Sequence, residues 1–228
     1  MVYSMYLKLK NALMFGVLSA GILTAQTAFA GSYEDYFSAI AKDNDWAVSN
    51  LLNRGFDPKT PNEKGHNGLF VALNQGALKV AKILIQSKGL PIDDRNEHDE
   101  TPLMIASIKG YLEAAKQLID QGADVNKPGW TPLHYAASKG NIEMMRLLLE
   151  ENAYIDAASP NGTTPLMMAA GYSSNPLACK VLLEEGADPT LINDKDLSAM
   201  DFAAQEKQKE SFELIKAYAQ AWRAKYQK

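Results

Sequence analysis

Apolar positions recur along the chain with a long period, in a seven-residue phrase that opens with TPL or a close variant. The phrase occurs five times, three times closely and twice in weaker form, at successive spacings of 34, 30, 33 and 34 residues. A period of about 20–50 residues indicates a repeat architecture in which each repeat is one supersecondary unit. The copies are "NGLFVAL" at 67–73, "TPLMIAS" at 101–107, "TPLHYAA" at 131–137, "TPLMMAA" at 164–170 and "SAMDFAA" at 198–204.

The copy that starts at residue 131 shows what one repeat predicts. Thr131 can cap a helix whose first position, Pro132, has no N–H that needs a partner. Gly140 then turns the chain, and a second apolar segment follows at helical spacing. Two helices this short cannot bury their apolar faces alone, so each pair must stack on its neighbours. The apolar face of the second segment consists of Ile142, Met145, Leu148 and Leu149.

The whole repeat, "TPLHYAASKGNIEMMRLLLEENA" with its partner copies, resembles the ankyrin-repeat family over roughly residues 34–228. The resemblance implies an all-α solenoid of about six helix–turn–helix units, with a projecting β-turn finger between neighbouring units. It also implies a concave groove, formed by the fingers and the first helices, that binds other proteins. The implied units are 34–66 (N-terminal cap), 67–100, 101–130, 131–163, 164–197 and 198–228 (C-terminal cap).

The first 30 residues have the composition of a cleavable signal peptide. Lys8 and Lys10 precede a short apolar run at 12–25, and the small residues Ala28 and Ala30 fit a cleavage site before Gly31. We therefore expect residues 31–228 to form the mature ankyrin-repeat domain in a bacterial periplasm, with secretion as the alternative. A retained membrane anchor is disfavoured, because the run is shorter than the roughly 20 residues that span a bilayer.

The apolar content and the net charge of the chain limit which classes of partner it can bind. The chain is 46% apolar with a formal net charge of −4, and loss of Lys8 and Lys10 would take this to −6. Such a charge argues against nucleic-acid binding, which needs a basic surface. We expect no membrane contact after signal removal, and a monomer. Cys179 is the only cysteine, so no disulfide can form within the chain.

The short spacing of 30 residues locates a deletion in one finger. Ala123 and Thr131 are 8 positions apart, whereas the equivalent Ala153 and Thr164 are 11 apart. Trp130 lies at the base of this short finger, where the other repeats have Glu100 or Thr163. Either its indole covers backbone that the deletion exposes, or it is the centre of a partner-binding surface, since Trp is enriched in interface hot spots.

A second irregularity is one extra residue in the turn of "AAGYSSNPLACK". Pro176 suits the start of the following helix. Alignment of the repeats places Tyr172 on the groove side of this turn, where the neighbouring repeats have Lys109 and Lys139. An altered turn and a binding role for this loop both remain open.

Residues with catalytic or metal-binding potential are scattered. His134 occupies the fourth place of its phrase, where the resemblance implies a structural bond to the backbone of adjacent fingers. His98 in "NEHDE" has no second His or Cys at ligand spacing. Cys179 is flanked by core positions and should be buried and inert. We therefore expect no catalytic residues, no metal and no cofactor, and we expect that the protein is not an enzyme.

The function that the resemblance implies is non-enzymatic binding of a partner protein along the groove. The alternatives are an accessory role in periplasmic oxidant defence in association with a catalase, and immunity or inhibition directed against a toxin. Aligning the repeats gives the candidate partner-binding residues: Glu63, Lys64, His66, Asn74, Gln75, Glu97, His98, Glu100, Ile108, Lys109, Lys127, Trp130, Ser138, Lys139, Asn161, Thr163 and Tyr172.

Overall fold

The computed structural model describes residues 20–226 of the 228-residue chain, with side chains described from residue 31 onward. Twelve helices account for the regular structure of this range, and its only β interaction is an isolated bridge between Ile192 and Ser198. The predicted all-α class is therefore confirmed. The chain divides between Leu90 and Pro91 into two compact units.

The first unit contains four helices. Helix α1 packs on α2 and on α3, while α4 packs on α2 and α3. The predicted cleavage position after Ala30 falls inside α1, and residues 1–19 of the predicted signal peptide lie outside the described residues. The helices are α1 (Ala20–Ala41), α2 (Asp45–Asn53), α3 (Gly68–Gln75) and α4 (Leu78–Ile85).

A tyrosine hydroxyl in the interior of the first unit has no hydrogen-bond partner among residues 31–90. It belongs to Tyr36, which is fully buried against Phe56 with ring centroids 4.5 Å apart. A Cβ added to Gly68 would lie 2.1 Å from this hydroxyl, so α3 passes close to the ring because residue 68 has no side chain. Burial is the main cause that raises the pKa of Tyr36, so the phenol stays neutral.

Replacing Tyr36 with Phe should therefore stabilise the protein. The substitution removes a buried hydroxyl that gains nothing in the folded state, and we expect a gain of about 1 kcal/mol in the free energy of unfolding. Urea unfolding of the two proteins measures the difference. A loss of more than about 1 kcal/mol would show that the hydroxyl has a partner after all.

The second unit is built from four helix pairs. The first helices α5, α7, α9 and α11 stack in one row, and the second helices α6, α8, α10 and α12 line up behind them. The eight helices are α5 (Pro102–Lys109), α6 (Leu112–Asp120), α7 (Pro132–Lys139), α8 (Ile142–Glu150), α9 (Pro165–Tyr172), α10 (Pro176–Glu184), α11 (Ala199–Gln205) and α12 (Lys209–Tyr226).

The fourth residue of each phrase in this unit closes the N-terminus of its helix. Its side chain accepts a hydrogen bond from the backbone N–H of the capping residue, a group that the helix itself leaves unpaired. The acceptors differ from repeat to repeat, but the bond is retained. They are the Met104 sulfur (3.4 Å), His134 Nδ1 (3.1 Å), the Met167 sulfur (3.5 Å) and an Asp201 oxygen (2.8 Å).

Neighbouring repeats of the second unit are joined by polar side chains at the close of each repeat. The Asp93 carboxylate accepts the N–H of Asp124 at 3.1 Å, and the Asp156 carboxylate accepts the N–H of Asp188 at 3.1 Å. Between them, the Asn126 side-chain oxygen accepts the N–H of Tyr154 at 2.7 Å. These bonds fix the offset of each repeat against the next. Burial is the main cause that raises the pKa values of Asp93 and Asp156.

Helix α12 covers the end of the stack as a C-terminal cap. Ile215 is buried and Phe212, Tyr218 and Trp222 are half-buried along the stripe that helical spacing predicts. No helix among residues 20–226 is both long enough and apolar enough to cross a membrane.

Candidate functional site

The short finger between α6 and α7 is anchored from within. Lys127 is buried, and its ammonium group contacts the Asp99 carboxylate and donates to the Pro128 carbonyl at 3.1 Å. Asp99 also binds Arg95 at 3.0 Å, and the hydrogen bond from Lys127 is the main cause that lowers the pKa of Asp99. The lysine of the shortened finger therefore joins it to the preceding finger.

Two of the predicted partner-binding side chains are placed differently from the sequence prediction. Lys127 is engaged with Asp99, and Thr163 is 2% exposed with its carbonyl accepting a hydrogen bond from His134. Neither side chain faces solvent in the folded protein, and the role of these two residues in partner binding stays a prediction. Spacing along the repeat identified the finger positions correctly but not the direction in which these two side chains point.

His134 lies behind Trp130 and connects two fingers. Since the Thr131 backbone N–H donates to Nδ1 at 3.1 Å, the imidazole proton resides on Nε2, which donates to the Thr163 carbonyl at 2.9 Å. The predicted structural role of His134 is confirmed. Burial is the main cause that lowers the pKa of His134 to about 4, so the ring is neutral at pH 7.

Trp130 forms part of an apolar cleft beside this histidine. The indole is half-buried and meets the His134 ring edge-on, with centroids 5.2 Å apart at an interplanar angle of 78°. One part of the ring therefore packs within the protein and another part lines open space, and the partner-binding alternative for Trp130 stays a prediction. The cleft has a volume of about 230 Å³ and is lined by Ile108, Trp130, Tyr135, Ser138 and Met168.

One wall of the cleft is held by a hydrogen-bonded carboxylate. The Tyr135 hydroxyl donates to one oxygen of Glu100 at 3.0 Å, and the Asn96 amide donates to the other oxygen at 2.7 Å. Burial and the neighbouring Glu100 carboxylate raise the pKa of Tyr135. Glu100, a predicted partner-binding residue, therefore has both carboxylate oxygens engaged within the protein.

Tyr135 and Met168 line the cleft but were absent from the sequence-based set. Each of them is the fifth residue of its phrase. Ile108 and Ser138 lie three residues after the fifth place of their own phrases. That spacing places them on the same helix face as Ile108 and Ser138, and this was the available signal.

The other predicted residues are distributed over both units, and their role in binding stays a prediction. In the second unit all of the remaining ones outside the cleft are exposed, and Lys109 and Lys139 form no ion pair with any described residue. The exposed set there is Glu97, His98, Lys109, Lys139, Asn161 and Tyr172. In the first unit Glu63, Lys64, Asn74 and Gln75 are exposed and His66 is half-buried.

The turn with the inserted residue packs inside the second unit. Ser173 is buried, and the Asn175 side chain caps α10 through the Leu177 N–H at 3.1 Å. The Asn175 amide also donates to the Gly140 carbonyl of the previous repeat at 3.4 Å. Tyr172 is 63% exposed beside this turn. The turn therefore has a packing function, while the tyrosine remains accessible.

Reactive groups are few in this part of the chain. Cys179 is buried as predicted, and burial raises the pKa of its thiol to about 11, which keeps the thiol protonated at pH 7. Within residues 31–226, no cluster of three or more His, Cys, Asp or Glu side chains is arranged to hold a metal ion.

Comparison with protein families identifies this architecture. A family model for ankyrin repeats in three copies matches residues 37–128 and 124–193, which is more than half of the chain. The chain belongs to the ankyrin-repeat family, and the predicted ankyrin-repeat solenoid fold is confirmed. Ankyrin repeats are protein-interaction modules, and the family is generally non-enzymatic.

Curated relatives share the repeats and not the whole protein. Human ankyrin repeat domain-containing protein 29 is 37% identical over 60 residues, 26% of this chain and 20% of its own length. Rat ankyrin repeat and SAM domain-containing protein 6 is 33% identical over 144 residues, 63% of this chain and 13% of its own length. The chain therefore spans about a fifth or less of these two relatives.

Solved structures match over more of their length. The human ASB11 ankyrin repeat domain superposes with a TM-score of 0.72 at 27% identity, covering 80% of this chain and 82% of that chain. A chain from the structure of the Bd0816 predatory endopeptidase of Bdellovibrio bacteriovorus in complex with immunity protein Bd3460 has a TM-score of 0.70 at 27% identity. That match covers 80% of this chain and 97% of the other.

Proposed function

We propose that this protein is a non-enzymatic module that binds a partner protein over the cleft around Trp130. The single observation that carries this proposal is the half-buried indole lining an open apolar cleft where a finger is three residues shorter than the next. Apolar aromatic groups in such clefts are typical of interface hot spots.

The proposed location of this binding is the periplasm. It is supported by the sequence pattern of residues 1–30, in which a basic start, a short apolar run and small residues end at Ala30. Intact-mass measurement of the protein from a periplasmic fraction should give a chain that begins at Gly31. A full-length chain confined to the cytoplasm would exclude export.

A second candidate function is immunity to, or inhibition of, a harmful enzyme. It is supported by the likeness to a chain in the complex of a predatory endopeptidase with an immunity protein, of which 97% is covered. In this version of the proposal, the partner is an enzyme whose activity falls when the cleft is occupied.

Replacing Trp130 with Ala should weaken partner binding by about tenfold or more, because a hot-spot indole leaves the interface. Stability should fall by only about 1 kcal/mol, since the half-exposed ring loses little more than one aromatic contact. A partner captured from periplasmic extract is identified by mass spectrometry and then titrated, in purified form, against the wild type and the variant by calorimetry. Thermal unfolding of the wild type and of the variant measures the difference in their stability.

Trp46→Ala is the matched control, because this indole is 73% exposed and lies in the first unit. Its partner affinity should equal that of the wild type. Unchanged affinity in Trp130→Ala together with a large loss of stability would assign the indole to packing alone. Absence of any saturable partner would contradict the proposed function.

A further inference from the structure

The size of the Trp130 cleft limits what can occupy it. Its volume of about 230 Å³ is below the roughly 300–1,000 Å³ of pockets that enclose drug-sized molecules. Its lining contains two aliphatic side chains and two aromatic rings, with the Ser138 hydroxyl donating to the Tyr135 carbonyl at 2.8 Å. The cleft therefore suits one bulky apolar side chain delivered by a larger partner.

The acidic groups on the preceding finger have partners within the protein. Asp99 is bound by Lys127 and Arg95, and Glu100 is bound by Tyr135 and Asn96. The exposed Glu97 carboxylate lies 3.8 Å from an imidazole nitrogen of His98. Of these carboxylates only Asp99 is paired with cationic side chains, whereas Glu100 is held in place by two neutral hydrogen-bond donors.

Two basic groups beside the cleft have no carboxylate partner among the described residues. Lys109 and Lys139 directly follow the cleft residues Ile108 and Ser138, at the ends of α5 and α7. Both are exposed, and neither forms an ion pair with a described residue. Because α5 and α7 pack together, Lys109 and Lys139 lie at the equivalent last positions of two neighbouring helices.

We propose that the occupant is a segment of a partner protein in which one bulky apolar residue, Leu, Met or Phe, is flanked by Asp or Glu. The apolar residue fills the cleft against Trp130, and the carboxylates pair with Lys109 and Lys139. This assignment rests on the proposed function and specifies the chemistry of its partner. A basic segment would instead place its charge beside two unpaired lysines, which costs binding energy.

A phage-displayed library of random peptides of about twelve residues, selected on the full chain, tests this assignment without knowledge of the natural partner. The selected peptides should share one bulky apolar residue with an acidic residue within about three positions. Synthetic versions of the strongest binder are then titrated against the variants by fluorescence anisotropy, at low and high salt.

The variants separate the apolar and the charged contributions. Trp130→Ala should weaken peptide binding about tenfold or more, as expected for a hot-spot residue. The double variant Lys109→Gln/Lys139→Gln should weaken it about fivefold and remove most of its salt dependence. Lys116→Gln/Arg146→Gln is the matched control, since it removes the same charge from exposed, equivalent positions on α6 and α8, and it should bind like the wild type.

The outcomes distinguish this inference from the proposed function. Selection of basic peptides, or of none that depends on Trp130, overturns the inference. Equal loss of binding in the two charge-neutralised variants overturns the role of the cleft-side lysines in it. If a natural partner nevertheless binds saturably and Trp130→Ala weakens that complex, the proposed function stands without the acidic–apolar segment.

Discussion

Between pH 6.5 and pH 4 the folded state is expected to lose about 3 kcal/mol of stability through His134 alone. Burial lowers the pKa of this imidazole from 6.5 to about 4 in the folded protein. The unfolded chain therefore binds a proton as the pH falls below 6.5, and the folded chain does not follow until about pH 4. Above pH 6.5 the imidazole is neutral in both the folded and the unfolded state, so His134 does not lower the stability. Below about pH 4 the imidazole is protonated in both states, and the full loss of stability has been reached.

The geometry around the ring explains why protonation is resisted. Nδ1 accepts from the Thr131 N–H at 3.1 Å and contacts the Thr131 hydroxyl at 2.8 Å. A proton on Nδ1 would face that N–H, so a buried donor would oppose a donor. The charged ring would also lie in an interior that offers no carboxylate among its bonded groups.

Urea unfolding at several pH values measures the effect, with His134→Met as the control. The repeats on either side have Met104 and Met167 at the same place, where the sulfur accepts the same backbone bond. The difference between the two proteins cancels the carboxyl titrations that both share. From pH 7 to pH 4 the wild type should lose about 3 kcal/mol in its free energy of unfolding relative to the variant. A difference that does not change with pH would show that the ring is protonated as easily in the folded state as in the unfolded state.

Replacing Gly140 with Ala should destabilise the protein by about 2–4 kcal/mol. Gly140 has φ +62°, a left-handed conformation that costs a residue with a Cβ about 1–2 kcal/mol. In addition, a Cβ there would lie 2.2 Å from the Ser173 hydroxyl oxygen and 3.0 Å from the Asn175 Cβ. The inserted turn of the next repeat would have to move away from α7.

Gly122→Ala separates the two costs, because Gly122 is also left-handed at φ +89° but has open space around the Cβ position. The Gly122→Ala variant should therefore lose only the stability of about 1–2 kcal/mol that a Cβ costs in the left-handed conformation. Ser173→Gly in the Gly140→Ala background should recover part of the difference, since the nearest atoms are removed. Equal losses for the two glycine variants would show that the turn accommodates a methyl group freely.

The start of each first helix after the N-terminal cap was predictable to one residue. In the structure, a helix begins at the second residue of each of the five phrases, as at Pro102, Pro132 and Pro165. The reason is local, because a capping side chain and a proline act on the backbone of their own turn. The partly buried stripe of α12 and the burial of Cys179 followed from the spacing of apolar residues in the same way.

The composition of the cleft was only partly predictable. Ile108, Trp130 and Ser138 were predicted from the alignment of repeats, but Tyr135 and Met168 were not. Their exposure depends on how far a neighbouring finger reaches, which is a property of two repeats. For the same reason, the burial of Lys127 could not be anticipated, because its partner Asp99 belongs to the preceding finger.

The amino-acid pattern was sufficient to establish the repeat, its helices, its family and the position of the deleted finger residues, because these depend on spacing within one repeat. The tertiary structure was required to show that the deletion leaves an apolar cleft beside Trp130 and that the acidic groups next to it are engaged while two lysines are not. Those properties arise from distances between side chains some 30 positions apart, such as Tyr135 and Glu100. Packing of successive repeats decides them.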